Sequence, residues 1–209
     1  MQAGTVMPAA TLCPTNHRAA KRHVSGKRMK KTIALVSLAS AVLAGCSTYA
    51  VPRYSISADN VTALKTAAVN GVGVGAFTQT LSANQHPNEI MCRGVGPIKT
   101  QDGEPFAEFI RRAFISELKI AGVYAPTAPI QLTGHLDSID FSSTSGIWNL
   151  TLTVTSSNGQ HMQVAEKYTY TTSYYGETAC NQTAQALMPA VQDLIGKVVH
   201  APEFASLLK

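Results

Sequence analysis

The chain has 209 residues, of which 45% are hydrophobic, 14% charged and 7% aromatic. This length suits one domain with a real core, and the composition excludes wholesale disorder, collagen-like repeats and a small disulfide scaffold. The formal net charge is +5, but residues 1–45 hold seven of the 17 Lys and Arg residues and no Asp or Glu. From residue 46 onward ten basic residues face twelve acidic ones, a net charge of −2. The sequence therefore predicts no nucleic-acid partner.

Residues 29–45 have the pattern of a secretory signal. The sequence MKKTIALVSLASAVLAGC begins with Lys30 and Lys31 and continues with the apolar stretch Thr32–Val42, which is shorter than the roughly 20 residues of a membrane span. Leu43-Ala44-Gly45-Cys46 follows, and this segment resembles a bacterial lipobox. That resemblance implies cleavage before Cys46 and acylation of its sulfur and of the new N-terminus. The alternative is an ordinary secretory signal followed by a chance cysteine.

Residues 1–28 are polar and basic and fit no part of this signal. We interpret them as an N-terminal extension that arises from a misassigned start codon, with Met29 as the natural start. A longer n-region on a genuine precursor is the alternative. Of the remainder, residues 46–69 are predicted to form a surface tether and residues 70–209 a single domain.

Acylated Cys46 would attach the mature domain to a membrane. Two or more acyl chains anchor a protein stably, since each buried methylene contributes roughly 0.8 kcal/mol. Ser47 follows the cysteine, which in bacteria resembling the enteric model implies sorting to the outer membrane. We therefore expect an outer-membrane lipoprotein that faces the periplasm.

Beyond Cys46 the sequence contains one further pair of cysteines, Cys92 and Cys180. An even pair in an oxidising compartment predicts a disulfide bond, which would close a loop of nearly 90 residues and stabilise by about 4–5 kcal/mol on the chain-entropy model. Two buried free thiols are the alternative. No metal site is predicted here, because neither cysteine has a second ligand at CxxC or CxxH spacing.

Residue periodicity predicts a strand, a helix, a three-stranded meander and a second helix. The predicted elements are a strand at Val72–Phe77, a helix from Pro105 to Gly122, strands over 130–141 with a bulge near Asp137–Ser138, over 148–155 and over 162–170, and a helix from Thr178 to His200. The segment Leu81–Gly103 is rich in turn formers and is expected to be a loop. The predicted fold class is α+β: a mostly antiparallel four-stranded sheet with two helices on one face.

This arrangement resembles the YajG family of uncharacterised bacterial lipoproteins and, more distantly, LptE and the auxiliary lipoproteins of lipid-transport ABC systems. The shared features are the lipobox ending in Cys46, the helix Phe106–Gly122, the meander with its turn Ser157-Asn158-Gly159, and the closing segment Pro202–Leu208. Cys92 and Cys180 depart from the YajG pattern, so a sister family is the alternative. The resemblance implies no catalytic residue.

The sequence contains no HExxH, GxSxG, CxxC or phosphate-loop motif. We therefore expect no cofactor and no enzymatic activity, but a binding or accessory component whose partner is an envelope protein or a lipid. A threonine-rich sheet face or an exposed strand edge could dock that partner. A mainly structural surface protein would differ only by lacking a specific partner.

Two sets of residues could carry other chemistry. His135 and Asp137 lie two apart on a predicted strand and so share one face. The alternative function is therefore a small tethered hydrolase or metal-binding enzyme that uses them, and the plainer interpretation is hydrogen-bonded strand residues. Arg93, beside Cys92, could bind an anion if the disulfide holds it in place, or could be an ordinary loop arginine.

Overall fold

The computed structural model describes residues 48–67, 71–82 and 85–209. The predicted extension over 1–28, the signal over 29–45 and the acylation site Cys46 lie outside the described residues. The strands are β1 (Tyr49–Val51), β2 (Gly73–Gln79), β3 (Glu89–Cys92), β4 (Gly96–Thr100), β5 (Gln131–Ser142), β6 (Ile147–Ser156) and β7 (His161–Thr169). The helices are α1 (Ala58–Ala67), α2 (Phe106–Ala121), α3 (Gly176–His200) and α4 (Phe204–Leu207).

A four-stranded sheet with the order β2-β5-β6-β7 forms the centre of the fold. For this sheet and the two long helices α2 and α3, the predicted chain order of strand, helix, meander and helix is confirmed, as is the α+β class. β2 pairs with β5 in parallel, whereas β5, β6 and β7 pair antiparallel. The parallel pair arises because the chain crosses from β2 to β5 through α2, and parallel neighbours require such a crossover.

The meander has the predicted alternation of faces and the predicted bulge. Its bulge lies between Leu136 and Ser138, so Asp137 has no partner on β6. The β6 residues Trp148, Leu150, Leu152 and Val154 are all at most 2% exposed and form one buried face. The β6–β7 turn is closed by Gly159, which has a φ of +88° that favours glycine.

Two helices cover this buried face, as predicted. α2 packs on β2 and β5, and α3 packs on β6 and β7. Side chains from both helices and from the sheet converge at one point of the core: Phe77, Ile110, Phe114, Leu152, Val154, Ile195 and Val198. α2 ends at Gly122 in the left-handed conformation, and α3 contains Pro189.

A second sheet corrects the predicted fold. The segment expected to be a loop over 81–103 contains the antiparallel hairpin β3–β4, and β1 adds to β4 in parallel to give the order β1-β4-β3. The prediction of one four-stranded sheet was therefore incomplete. These strands have only three to five residues, too few for a periodic apolar pattern to stand out.

The predicted tether over 46–69 is also wrong for its described part. It contains β1 and the ten-residue helix α1, and α1 packs against α2 and α3. Val51 and Leu64 are fully buried. These elements were not predicted because the segment is mostly polar. Elements this short need only two or three buried apolar residues to pack on the domain, which is too few to form a recognisable pattern.

Candidate functional site

The face of the four-stranded sheet opposite the helices carries polar side chains, since successive residues of a strand point to opposite faces. We call it the polar face, and its main residues are Thr78, Thr133, His135, Asp137, Asp140, Asn149, Thr151, Thr153, Thr155, His161, Gln163 and Lys167. Threonine predominates, and its β-branched side chain loses little rotational freedom when a partner binds. Such a face suits a docking role.

His135 is held by two hydroxyl groups on one side of the polar face. Its Nδ1 lies 2.7 Å from Oγ1 of Thr78, and its Nε2 lies 2.9 Å from Oγ1 of Thr80. A neutral imidazole has one donor and one acceptor nitrogen, and a hydroxyl can serve either. Both ring nitrogens are therefore engaged toward β2.

Asp137 is engaged in the other direction. Its Oδ2 accepts a hydrogen bond from Oγ1 of Thr153 at 2.8 Å and from Nε2 of Gln163 at 3.3 Å. The bulge places this carboxylate toward β6 and β7, so the structure gives His135 and Asp137 separate sets of partners. Within residues 48–67, 71–82 and 85–209, no group of three or more His, Cys, Asp or Glu side chains could hold a metal ion.

Cys92 and Cys180 form a disulfide bond, which confirms the predicted pairing. Their Cα atoms are 5.8 Å apart and 88 positions separate them. Both residues are fully buried. The bond links the end of β3 to the second turn of α3.

Arg93 follows directly and ties this hairpin to two other loops. Its Nε donates to Oγ of Ser143 at 2.9 Å, and its Nη2 donates to the Ser143 carbonyl at 2.8 Å. Its Nη1 donates to the carbonyl of Tyr174 at 3.1 Å. All three guanidinium nitrogens of Arg93 already donate to protein oxygens, so an anion would have to compete with these acceptors. Anion binding by Arg93 stays a prediction.

A buried carboxylate, that of Glu117 on α2, was not predicted from the sequence. Its Oε1 accepts hydrogen bonds from the Tyr54 hydroxyl and from the Ser57 amide, the latter at 2.9 Å, whereas Oε2 has no partner among the described residues. Burial and then the Glu117 carboxylate raise the pKa of Tyr54 above its ordinary value. Glu117 lies three residues after Phe114 and four before Ala121, so the helical apolar stripe already indicated its burial.

A second missed feature is a cluster of exposed apolar side chains around the disulfide. Of the seven large hydrophobic side chains that are exposed in the described ranges, four lie here: Met91, Val95, Tyr174 and Tyr175. We call this cluster the disulfide-end patch. The Tyr174 and Tyr175 rings pack edge to face at 6.3 Å, and a Cβ built on Gly176 would lie 3.1 Å from Cγ2 of Val95. The sequence shows two adjacent tyrosines, but it does not show that their side chains are exposed, because exposure depends on how the chain folds around them.

Comparison with known proteins gives little guidance. No family model matches the chain, and no curated protein matches it. A crystal structure of a chain from Caulobacter crescentus CB15, provisionally assigned as a lipoprotein, is similar over 72% of this chain and 96% of that one, at 12% identity and a TM-score of 0.34. No helix in the described ranges is long and apolar enough to span a membrane.

Proposed function

We propose that the mature chain begins at acylated Cys46 and is a bacterial envelope lipoprotein, a non-enzymatic binding or accessory component. One observation carries this proposal: the predicted signal ends at Gly45, directly before Cys46, and the first described strand begins at Tyr49, three positions after Cys46. Cleavage before Cys46 would remove the signal and leave every described strand and helix intact. The acyl anchor would then be attached almost directly to the domain.

The disulfide supports an exported location. Cys92 and Cys180 are bonded in the fold, and such bonds persist in oxidising compartments such as the periplasm. Ser47 after the acylated cysteine favours the outer membrane, with the domain facing the periplasm.

The polar face supports the binding role. Among the described elements, α2 and α3 pack on the opposite face of this sheet, and no helix was found on the polar face. Its threonine hydroxyls and side-chain amides can exchange water for hydrogen bonds to a partner. We propose an envelope protein as that partner, with a lipid as the other ligand to be tested.

Lipidation is tested by the intact mass of the protein extracted from membranes. We expect a chain that begins at Cys46 and carries acyl chains, and we expect the Cys46→Ala variant to lack them. A membrane-extracted species that retains residues 1–45 would contradict the proposal.

The binding role is tested by photo-crosslinking in living cells. A crosslinking residue at Thr155 samples the exposed polar face, and the same residue at Gln185, exposed on α3, is the matched control. We expect one dominant envelope partner from position 155 that is absent from position 185. Identical products from both positions, or none from position 155, would argue for a structural role without a specific partner.

A further inference from the structure

The chain reaches β1 at the same end of the domain as the disulfide-end patch. β1 runs parallel to β4, with Tyr49 opposite Ile98. β4 begins at Gly96, directly after the turn that contains Val95. Because paired parallel strands start at the same edge, the N-terminal end of β1 lies beside the β3–β4 turn.

The start of α3 lies at this end too. β1 packs against α3, and the disulfide ties the end of β3 to the second turn of α3. Burial and then the carboxylate of Glu177 raise the pKa of the Tyr49 hydroxyl, which fits a position of Tyr49 near the first turn of α3. Tyr174 and Tyr175 immediately precede that turn.

The short stretch of chain between Cys46 and Tyr49 limits how far the proposed lipid anchor can lie from the disulfide-end patch. Cys46 and Val95 each precede the paired residues Tyr49 and Ile98 by three positions. Three extended residues span at most about 10 Å. Since the acyl chains of Cys46 would insert into the bilayer, Tyr49 must lie within about that distance of Cys46 at the membrane surface.

Resting on the proposed lipid anchor, we propose that the disulfide-end patch contacts the surface of the phospholipid bilayer that holds acylated Cys46. Tyrosine is enriched at membrane interfaces because its ring is apolar and its hydroxyl remains hydrated. Val95, whose Cγ2 lies close to Gly176, adds apolar surface beside Tyr174 and Tyr175, which are 94% and 77% exposed, and exposed Met91 directly precedes the bonded Cys92. The disulfide and Arg93 hold the loops that carry these side chains together.

The opposite end of α3 provides a control region. α3 has 25 residues and is therefore about 37 Å long. The β6–β7 turn lies at its far end, where Nδ2 of Asn158 donates to the carbonyls of Ser206 and Lys209 at 2.9 and 3.0 Å. Gln160, exposed beside this turn, would face away from the bilayer.

The test uses mature lipidated protein in vesicles of phosphatidylethanolamine and phosphatidylglycerol that contain lipid brominated near the headgroup. Tryptophan is introduced as Tyr175→Trp in the patch and as Gln160→Trp at the far end. The parent protein, whose Trp148 is fully buried, supplies the background emission. We expect bromine to quench the tryptophan of Tyr175→Trp and to leave that of Gln160→Trp unchanged.

Vesicle flotation separates the two proposals. If the protein floats with the vesicles but Tyr175→Trp is quenched no more than Gln160→Trp, the membrane-contact inference is wrong and the lipoprotein proposal stands. If the protein carries no acyl chain and does not float, both fail. Tyr174→Trp repeats the measurement at a neighbouring exposed position, and quenching at neither tyrosine would overturn the inference.

Discussion

The two sheets of the domain are stabilised in different ways. The four-stranded sheet buries a continuous apolar face against α2 and α3, with Trp148, Leu150 and Leu152 at most 2% exposed. The three-stranded sheet has short strands, few buried apolar residues, and a disulfide that links it to α3. The four-stranded sheet is therefore stabilised by many apolar contacts, and the three-stranded sheet depends more on the single disulfide bond. A core substitution in the four-stranded sheet should therefore destabilise the whole fold, whereas a substitution in the three-stranded sheet should destabilise that region.

Truncation of Trp148 should have the largest effect. Its ring is fully buried, packs on Phe141 with ring centroids 4.8 Å apart, and donates from Nε1 to the carbonyl of Thr183 at 2.8 Å. We expect Trp148→Ala to lower the free energy of unfolding by about 3–5 kcal/mol, because it leaves a cavity and removes the indole hydrogen bond. Chemical denaturation measures this, with Trp148→Phe as the milder control. A loss below about 1 kcal/mol would show that the sheet is not the main source of stability.

Removal of the disulfide should have the next largest effect on the free energy of unfolding, and the loss of protection should be concentrated in the three-stranded sheet. We expect Cys92→Ala with Cys180→Ala to cost about 2–4 kcal/mol, as is typical when a native crosslink is lost. Hydrogen exchange should rise first in β3 and β4 and should stay slow in β5–β7. Exchange that rises equally in both sheets would show that both depend on the disulfide to the same extent.

The contrast between the sheets also explains what could be predicted from sequence. Alternation along 148–155 and helical spacing along 106–121 each come from many apolar residues packed on one side, so the elements of the four-stranded sheet were found. β1, β3 and β4 depend on the pairing of Tyr49 with Ile98 and of Cys92 with Gly96. Pairing between short, distant or turn-rich segments leaves no local periodicity, and this sheet was missed.

The candidate site shows the same division. The shared face of His135 and Asp137 followed from the strand period, and the bulge was placed correctly. Their hydrogen-bond partners include Thr78 on β2 and Gln163 on β7, which lie on other strands and could not be inferred from spacing. The exposure of Tyr174 and Tyr175 depends on how the start of α3 packs, which has no signature in composition.

Burial of Tyr54 and its hydrogen bond to Glu117 should make stability decrease in alkaline solution. The folded-state pKa of Tyr54 is raised, whereas an unfolded tyrosine titrates near pH 10. The stabilisation is therefore complete below about pH 10 and is lost as the pH rises above it, because the unfolded state releases the proton first, at about 1.4 kcal/mol per pH unit. We expect Tyr54→Phe to flatten this decline when unfolding is measured between about pH 9 and 11. Parallel curves for the two proteins would show that Tyr54 titrates normally.

Substitution on the polar face should have the smallest effect on stability and so reports on function. His135 contacts Thr78 and Thr80 through exposed hydrogen bonds, and loss of such surface contacts usually changes stability by less than about 1 kcal/mol. We therefore expect His135→Ala to unfold at nearly the wild-type denaturant concentration. If the chain is a binding component, His135 is one of many residues on the docking face, so His135→Ala should have little effect on the cellular phenotype, no larger than that of Thr155→Ala on the same face. Loss of the phenotype in the folded His135→Ala variant, but not in Thr155→Ala, would instead favour the tethered enzyme. The opposite face of the sheet stabilises the fold, and the polar face contributes little to stability. Substitutions on the polar face can therefore distinguish a binding component from an enzyme without unfolding the protein.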